Sequence, residues 1–491
     1  MSRDRRILRA DRLRHSMNAG KAQAVAHFVR DYRQVAVAVG RAQGRLFFEN
    51  GATNGRAPAK HLNPVCGAAP VQMASAQVVE QLDSWISNRA NDFVDLVRGS
   101  RLPDKTKKVL YMINRRRAWF FRGELAGIDE EIRILARQIM RQAMKAHHRP
   151  DLAHLSPRLD VRVASVAPSN NAKHKGLWAS LRLPGRGRID IPLHPHQHFL
   201  ERGGKLCPVV QLCSEPDGSI GVRLVSDITE PVTVKREAYE PQTEAIGIDF
   251  GLATLLATSQ GDLFGRGLLA DLIRIDRQIT GIARHRMRSG DKPRNSARYC
   301  RLVARVRGML RTRINQALNG TVAAHKPAVL RIERLDFRSP DLSRRMNRII
   351  SNCGRAVFEA KLQDLEDHFG IVAERMPSPS TSQECSRCHY VDRTNRRSQS
   401  KFVCRFCGHR KHADVNAACT VKGRRSSGLG AKFLTKAAIL AALVRRFCER
   451  FPQPQGAAAD PRFSNRYFAG WATVVRNALS PQGLVPCAEK Q

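Results

Sequence analysis

The chain predicts a multidomain α+β protein: an antiparallel β-barrel with a helical region inserted into it, then an α/β unit interrupted by a four-cysteine knuckle. Three observations carry this expectation. Apolar residues recur at helical spacing over residues 21 to 40 and again over roughly 128 to 146. The period then switches to two around Pro-Gly and Asp-Gly turns. Finally, TSQECSRCHYVDRTNRRSQSKFVCRFCGHRKHADVNAA, residues 381 to 418, sets two Cys-x-x-Cys pairs just ahead of a segment that reads as a helix. At 491 residues the chain can bury two or more cores.

RRILRADRL, near the N-terminus, reads as a strand. An amphipathic helix is expected over 21 to 40, with Val25, Phe28, Val29, Tyr32 and Val39 on its apolar side. A second, basic helix covers roughly 128 to 146, with Ile128, Ile132, Leu135 and Ile139 on one face. Between them NRRRAWFFR, 114 to 122, interleaves arginines with Trp119, Phe120 and Phe121. These rings either stack on nucleic-acid bases or fill a helical core. From about 158, Leu181, Leu183, Ile189, Ile191 and Leu193 alternate around a Pro-Gly turn, and VVQLCSEPDGSIGVRLV does the same around Asp217-Gly218. Such hairpins suggest a small barrel that the N-terminal strand completes. After 245 the pattern gives two strands, long basic helices, another strand, a helix, the knuckle and a last helix. PQPQGAAADP, 452 to 461, reads as a linker before the tail.

The charge balance narrows the partner. Against 43 acidic residues stand 84 basic ones, a formal net charge of +41. Self-repulsion of that size strains a compact fold unless a polyanion neutralises it, and nucleic acid is the polyanion to expect. A solvated basic surface or a ribosome-associated protein is the plainer alternative. No segment reaches the ~18 consecutive apolar residues of a membrane span. The stretch MSRDRRILRADRLRHS lacks the apolar core and cleavage site of a signal peptide, and its acidic residues argue against a transit peptide. Of twelve cysteines, eight are scattered without a framework, the usage of a reducing cytoplasm.

Cys385, Cys388, Cys404 and Cys407 have the spacing of a closed tetrahedral zinc site, in which Zn²⁺ is structural. His389, His409 and His412 stand nearby, but four sulfurs suffice without them. Three acids then call for explanation. Asp249 ends a strand in EAIGIDFGLATLLATSQGD, Glu333 ends the apolar run of PAVLRIERLDF, and Asp414 opens the helix behind the knuckle. An acid in an apolar strand is costly unless it has a task; Asp414 alone has the plainer role of a helix cap. Together, strand–Asp–hairpin, strand–Glu and Asp–helix follow the order in which an RNase H-like fold supplies its metal ligands. Phosphodiester hydrolysis suits such a set, because clustered carboxylates attract Mg²⁺, which prefers oxygen ligands.

GIDFG at 247, RIERLDF at 331, TSQECSRC at 381, FVCRFCG at 402 and HADVNAA at 412 resemble the RuvC-type nuclease of transposon-encoded TnpB and the compact class 2 type V CRISPR effectors. The resemblance covers roughly 245 to 424. It implies that Asp249, Glu333 and Asp414 are catalytic acids holding Mg²⁺ and that Cys385, Cys388, Cys404 and Cys407 hold Zn²⁺. His389 departs from the family's glycine after the first cysteine pair. The implied layout is a wedge barrel in two parts (1–20 and 156–244) around a helical recognition region (21–155). A RuvC-like, RNase H-like nuclease in two parts (245–380 and 412–430) follows, interrupted by the zinc-binding insertion (381–411), with a helix and tail at 431–491. The implied function is RNA-guided DNA cleavage in the prokaryotic cytoplasm. A guide RNA would give specificity, and the protein would read a short flanking motif in double-stranded target DNA. Two alternatives stay open: an RNA-guided binder that silences by occupancy or only processes its guide, and a guide-free RNase H-like nuclease or transposase. The basic loop of the knuckle (Arg393, Arg396, Arg397, Lys401) either contacts the strand being cut or is simply solvated.

Overall fold

The computed structural model describes residues 6–50, 53, 59–168, 176–185, 187–215, 218–333, 338–424 and 436–451. The chain divides into two units, residues 1–231 and 232–491.

In the first unit β1 (Leu8–His15) leads into α1 (Ala19–Asn50), followed by α2 (Asn63–Cys66), α3 (Ala68–Gly99), α4 (Asp104–Arg115) and α5 (Glu130–Lys145). Strands resume with β2 (Arg158–Asp160), β3 (Ala164–Pro168), β4 (Leu177–Leu183) and β5 (Gly187–His194). After α6 (Gln197–Glu201) come β6 (Lys205–Ser214) and β7 (Ile220–Asp227). They form one seven-stranded antiparallel sheet in the order β2-β6-β7-β1-β5-β4-β3. β1 pairs with both β5 and β7, so the N-terminal strand is central and its partners arrive only after the helices. Its edges, β2 and β3, do not pair with each other among the described residues, so the expected barrel is a near-closed sheet. The residues read as alternating from sequence, Leu181, Leu183, Ile189, Ile191 and Leu193, all point into a core shared with Val25, Val29 and Tyr32 of α1. Residues 216 and 217 of the second turn lie outside the described residues.

The helical insertion has its own core, built from Phe47, Phe93, Trp119, Phe120 and Met140. This decides between the two readings of NRRRAWFFR. Trp119 is 1% exposed, and its indole N–H donates to Asn114 Oδ1 at 3.1 Å. Exposing a buried Trp would cost about 5 kcal/mol, more than the ~1–3 kcal/mol that stacking on a base returns. Trp119 and Phe120 are therefore packing residues, and of the three rings only Phe121 reaches the surface. α1 runs ten residues past its expected end, and α3 and α4 were not distinguished in the sequence.

The second unit opens with α7 (Thr229–Glu237), which crosses the boundary, and an antiparallel run β8 (Thr243–Phe250), β9 (Leu256–Thr258) and β10 (Leu263–Phe264). Then come α8 (Leu268–Arg288), α9 (Ala297–His325), β11 (Pro327–Glu333), α10 (Arg344–Phe369) and β12 (Val372–Met376). β11 lies parallel to both β8 and β12, giving the order β10-β9-β8-β11-β12. β10 and β12 exceed the expected strands: two residues are too few to show a period, and VAERM is a mixed edge strand. Ser343 caps α10 by accepting from Met346 N–H. The buried Asp276 of α8 accepts in turn from Ser343 N–H and Oγ–H at 2.6 and 2.7 Å, pinning α8 to that helix start.

Alternation in β8 sends Ile246 and Ile248 into the core with α8, α9 and α10. Ala245, Gly247 and Asp249 therefore face the other side of the sheet. Two short strands, β13 (Lys401–Val403) and β14 (Arg410–His412), precede α11 (Ala413–Gly423), which lies on that face. α12 (Lys436–Arg450) packs Leu443, Val444 and Phe447 against Tyr390, Phe402 and Phe406 of the cysteine knuckle. The tail from 452, including the linker read at 452 to 461, lies outside the described residues. Among the described residues no helix is long and apolar enough to cross a membrane.

The approach of α11 explains Gly247. A Cβ there would stand 2.0 Å from the Ala418 carbonyl oxygen and 2.7 Å from the Lys422 nitrogen, both backbone atoms. Gly247→Ala is expected to lower stability by about 3 kcal/mol, the upper range for overpacking, read as a drop in thermal midpoint. An unchanged midpoint would mean that α11 does not lie against β8 as described.

Candidate functional site

Asp249 and Glu333 reach the same place because their strands run in parallel. The register sets Ile332 opposite Ile248, so the next residues, Glu333 and Asp249, stand side by side at the C-terminal ends of β11 and β8. In open α/β sheets this end of the strands is where sites form. The two side chains share a hydrogen bond, and Asp414 is close enough to act on Asp249 through its charge. Burial pushes the Asp249 carboxyl well above the usual carboxylate range, and the charges of Glu333 and Asp414 add to the effect. Glu333 is also raised, again by burial first, while hydrogen bonds from Asp249 and Thr381 oppose the shift. Crowding of this kind leaves the carboxylates short of positive charge.

Asp414 does not cap its helix. His412 occupies the cap position, and Asp414, 5% exposed, lies in the first turn, where its Oδ1 accepts from Arg396 Nη2 at 2.8 Å. Arg396 thus faces the acids, whereas Arg393, Arg397 and Lys401 of the same loop are exposed. Thr381 Oγ1–H donates to Glu333 Oε2 at 2.9 Å and so orients it. Neither Thr381 nor Arg396 was singled out as a partner of the acids from sequence. Thr381 opens the TSQECSRC motif, which was the one available signal.

The four cysteines converge as their spacing implied. Their sulfurs all lie within 4.8 Å of one another, with Cys385–Cys407 at 3.8 Å and Cys388–Cys404 at 3.5 Å. A tetrahedron with Zn–S bonds of ~2.3 Å has edges of ~3.8 Å, so the set fits one zinc ion. Four thiols this close cannot all ionise without a cation. His389 follows Cys388 as Gly408 follows Cys407, and both take the left-handed conformation, at φ 63° and 69°. Histidine meets a steric cost there that glycine avoids, and its Nδ1 is held 3.0 Å from Glu384 Oε1. No histidine joins the cysteine cluster among the described residues.

A buried clamp ties the knuckle to the acids. Glu384, fully buried, pairs through Oε2 with Arg424 Nη2 at 3.0 Å, at the end of α11. Arg424 also donates to the Pro379 and Pro377 carbonyls. From within α11, Asn416 Nδ2 donates to the Glu384 carbonyl at 2.8 Å, and its Oδ1 accepts from Ser386 N–H at 3.1 Å. The Asn of HADVNAA therefore locks the helix bearing Asp414 onto the first cysteine pair.

Residues 357–421 match the family described as Cas12f1-like, TNB domain. The chain is 35% identical over 72 residues to "CRISPR-associated endodeoxyribonuclease Cas12f1" of Sulfoacidibacillus thermotolerans, 15% of this chain and 17% of that protein. It is 24% identical over 214 residues to "Putative RNA-guided DNA endonuclease InsQ" of Escherichia coli (strain K12), 40% of this chain and 52% of the relative. The matches thus span about half of one relative's length and much less of the other's. Among solved structures, CasPhi-2 (Cas12j) bound to crRNA aligns over 88% of this chain and 99% of that one at 13% identity and a TM-score of 0.45. Over these stretches the chain is similar to the TNB domain of Cas12f1-like proteins and to two relatives named as CRISPR-associated or RNA-guided DNA endonucleases.

Proposed function

We propose that this protein is an RNA-guided DNA endonuclease with its hydrolytic site at Asp249, Glu333 and Asp414. The observation that carries the proposal is the meeting of Asp249 and Glu333 at the ends of adjacent parallel strands, under the helix that bears Asp414. An all-oxygen, negatively charged donor set suits Mg²⁺. When bound, Mg²⁺ supplies an activated water and a stabilised leaving oxygen for phosphodiester hydrolysis. Thr381 fixes the Glu333 carboxylate, Arg396 holds Asp414 and brings positive charge to where a phosphate would lie, and α11 excludes water from the back of the site. Zn²⁺ at Cys385, Cys388, Cys404 and Cys407 would be structural, since four sulfurs leave no open position. The near-closed sheet and its helical insertion serve as wedge and recognition regions for guide RNA and target duplex, consistent with the net charge of +41.

Carboxylate sites of this kind grip phosphates, which carry no sequence information, so selection must come from base pairing and a short duplex motif. Purified protein is expected to carry a structured RNA. Changing its guide segment is expected to redirect cleavage to the matching DNA beside the same motif, read on gels of labelled duplex. Seed mismatches should cost more than distal ones. RNA-free protein should bind duplex DNA with steep salt dependence and without selecting a target sequence. Site-specific cleavage that survives complete RNA removal would overturn the proposal, as would a matched site that is bound but left whole.

A further inference from the structure

One cavity of the first unit is not used by this function. It measures about 630 Å³ and opens along α1, between that helix and the end of the β6–β7 hairpin. Its walls are apolar where Val29, Val37 and Ile220 line them and strongly basic where Arg30, Arg33 and Arg41 do. Among the described residues no carboxylate lines it. The three arginines and Val37 fall on one side of α1 because 30, 33, 37 and 41 follow the helical repeat. From Arg30 to Arg41 the helix rises about 16 Å.

The arginines differ in how they are held. Arg30 and Arg41 are exposed and form no ion pair among the described residues. Arg33 is fixed: its Nε–H donates to the Leu155 carbonyl at 2.8 Å and its Nη2 to Ser214 Oγ at 2.9 Å. Those two bonds occupy one edge of the guanidinium. The other edge, formed by Nη1 and the second Nη2 hydrogen, is a pre-oriented fork with donors only. We infer that this cavity binds one unstacked guanosine nucleotide of a single strand: Arg33 reads O6 and N7 of the base, the apolar walls cover its faces, and Arg30 and Arg41 hold the flanking phosphates.

The chemistry selects this ligand over simpler anions and other bases. Phosphate alone would leave the apolar walls uncovered and most of the volume unfilled. A guanidinium fork pairs bidentately with guanine O6 and N7, the commonest specific arginine–base contact. Adenine would turn its N6 donors toward the fork, and a uracil edge offers no two adjacent acceptors. Cytosine has such a pair in O2 and N3, but it is the smaller base in a roomy cavity. The inference rests on the proposed function only in that a nucleic-acid strand is present.

The test uses RNA-free full-length protein and fluorescence anisotropy on oligouridine carrying one central guanosine, adenosine, cytidine or 7-deazaguanosine. Guanosine is expected to bind about tenfold more tightly than each of the others. Arg33→Lys keeps the charge and loses the fork, so the preference should collapse to near unity while overall affinity stays within about twofold. The deazaguanosine arm needs no variant and stands even if Arg33→Lys fails to fold. Oligodeoxyuridine with one deoxyguanosine tells a DNA source from an RNA one: the strand bound with the larger guanine preference is the natural occupant. No guanine preference, a cytidine preference, or a preference that persists in Arg33→Lys would overturn the inference. Guide-directed cleavage by the RNA-loaded protein is read in parallel, so a failure here leaves the nuclease proposal standing, and the reverse.

Discussion

In the Asp249→Ala variant, magnesium-dependent cleavage of a guide-matched DNA is expected to fall on the order of a thousandfold or more, because losing one ligand disassembles the metal site. Nucleic-acid affinity should barely change, since one carboxylate is small against a net charge of +41. Glu333→Ala and Asp414→Ala should behave alike, and double variants should cost little more than single ones, as groups acting as a unit are not additive. Stability should move the other way. The folded-state pKa of Asp249 is raised, so its contribution is fully present below the ordinary carboxylate pKa and is lost as pH rises towards the raised value. Without magnesium at neutral pH, Asp249→Ala should therefore melt at or above the wild-type midpoint, and the wild type's loss of stability with rising pH should flatten. Wild-type cleavage rates in Asp249→Ala would show that the site lies elsewhere.

Cys404→Ala is expected to carry the largest stability effect. Purified wild-type protein should hold about one zinc per chain by metal analysis, and the variant should hold none. Structural zinc contributes on the order of 10 kcal/mol to small domains, and here the sulfurs lie in the same cluster as Tyr390, Phe402, Phe406 and Phe447. Removing one ligand should expose residues 384 to 412 and α12 together to hydrogen exchange. Cleavage should fail too, because Asn416 and the Glu384–Arg424 pair join the knuckle to α11, and Arg396 reaches Asp414 from the knuckle's own loop. Folded, zinc-free wild-type protein would defeat this account.

How much was legible depended on how local each signal was. The cysteine pairs were legible because two ligands separated by two residues define their own turn. Asp249 and Glu333 stood out because an acid beside Ile248 or Ile332 breaks an apolar strand. The aromatic run at 119–121 was ambiguous, since the same pattern serves a core or a stacking surface, and only the position of Phe47 and Phe93 decides it. Short edge strands such as β10 carry too few residues for any period. Arg396 and Asp414 lie 18 residues apart, Thr381 and Glu333 lie 48 apart, and nothing in a single sequence couples such pairs.

By itself, the sequence determined the alternating strands of the first unit, the four-sulfur cluster, and which acids break apolar strands. These follow from side-chain period, ligand spacing and desolvation, all properties of short segments. Only the tertiary structure decided that Glu333 stands beside Asp249, because that depends on the register between β8 and β11. It alone decided that Asp414 faces Arg396 instead of capping a helix, and that Gly247 is required because α11 lies on the strand's open face. Each of these depends on surfaces from distant segments meeting at atomic contact, where a single Cβ or one residue of register changes the outcome.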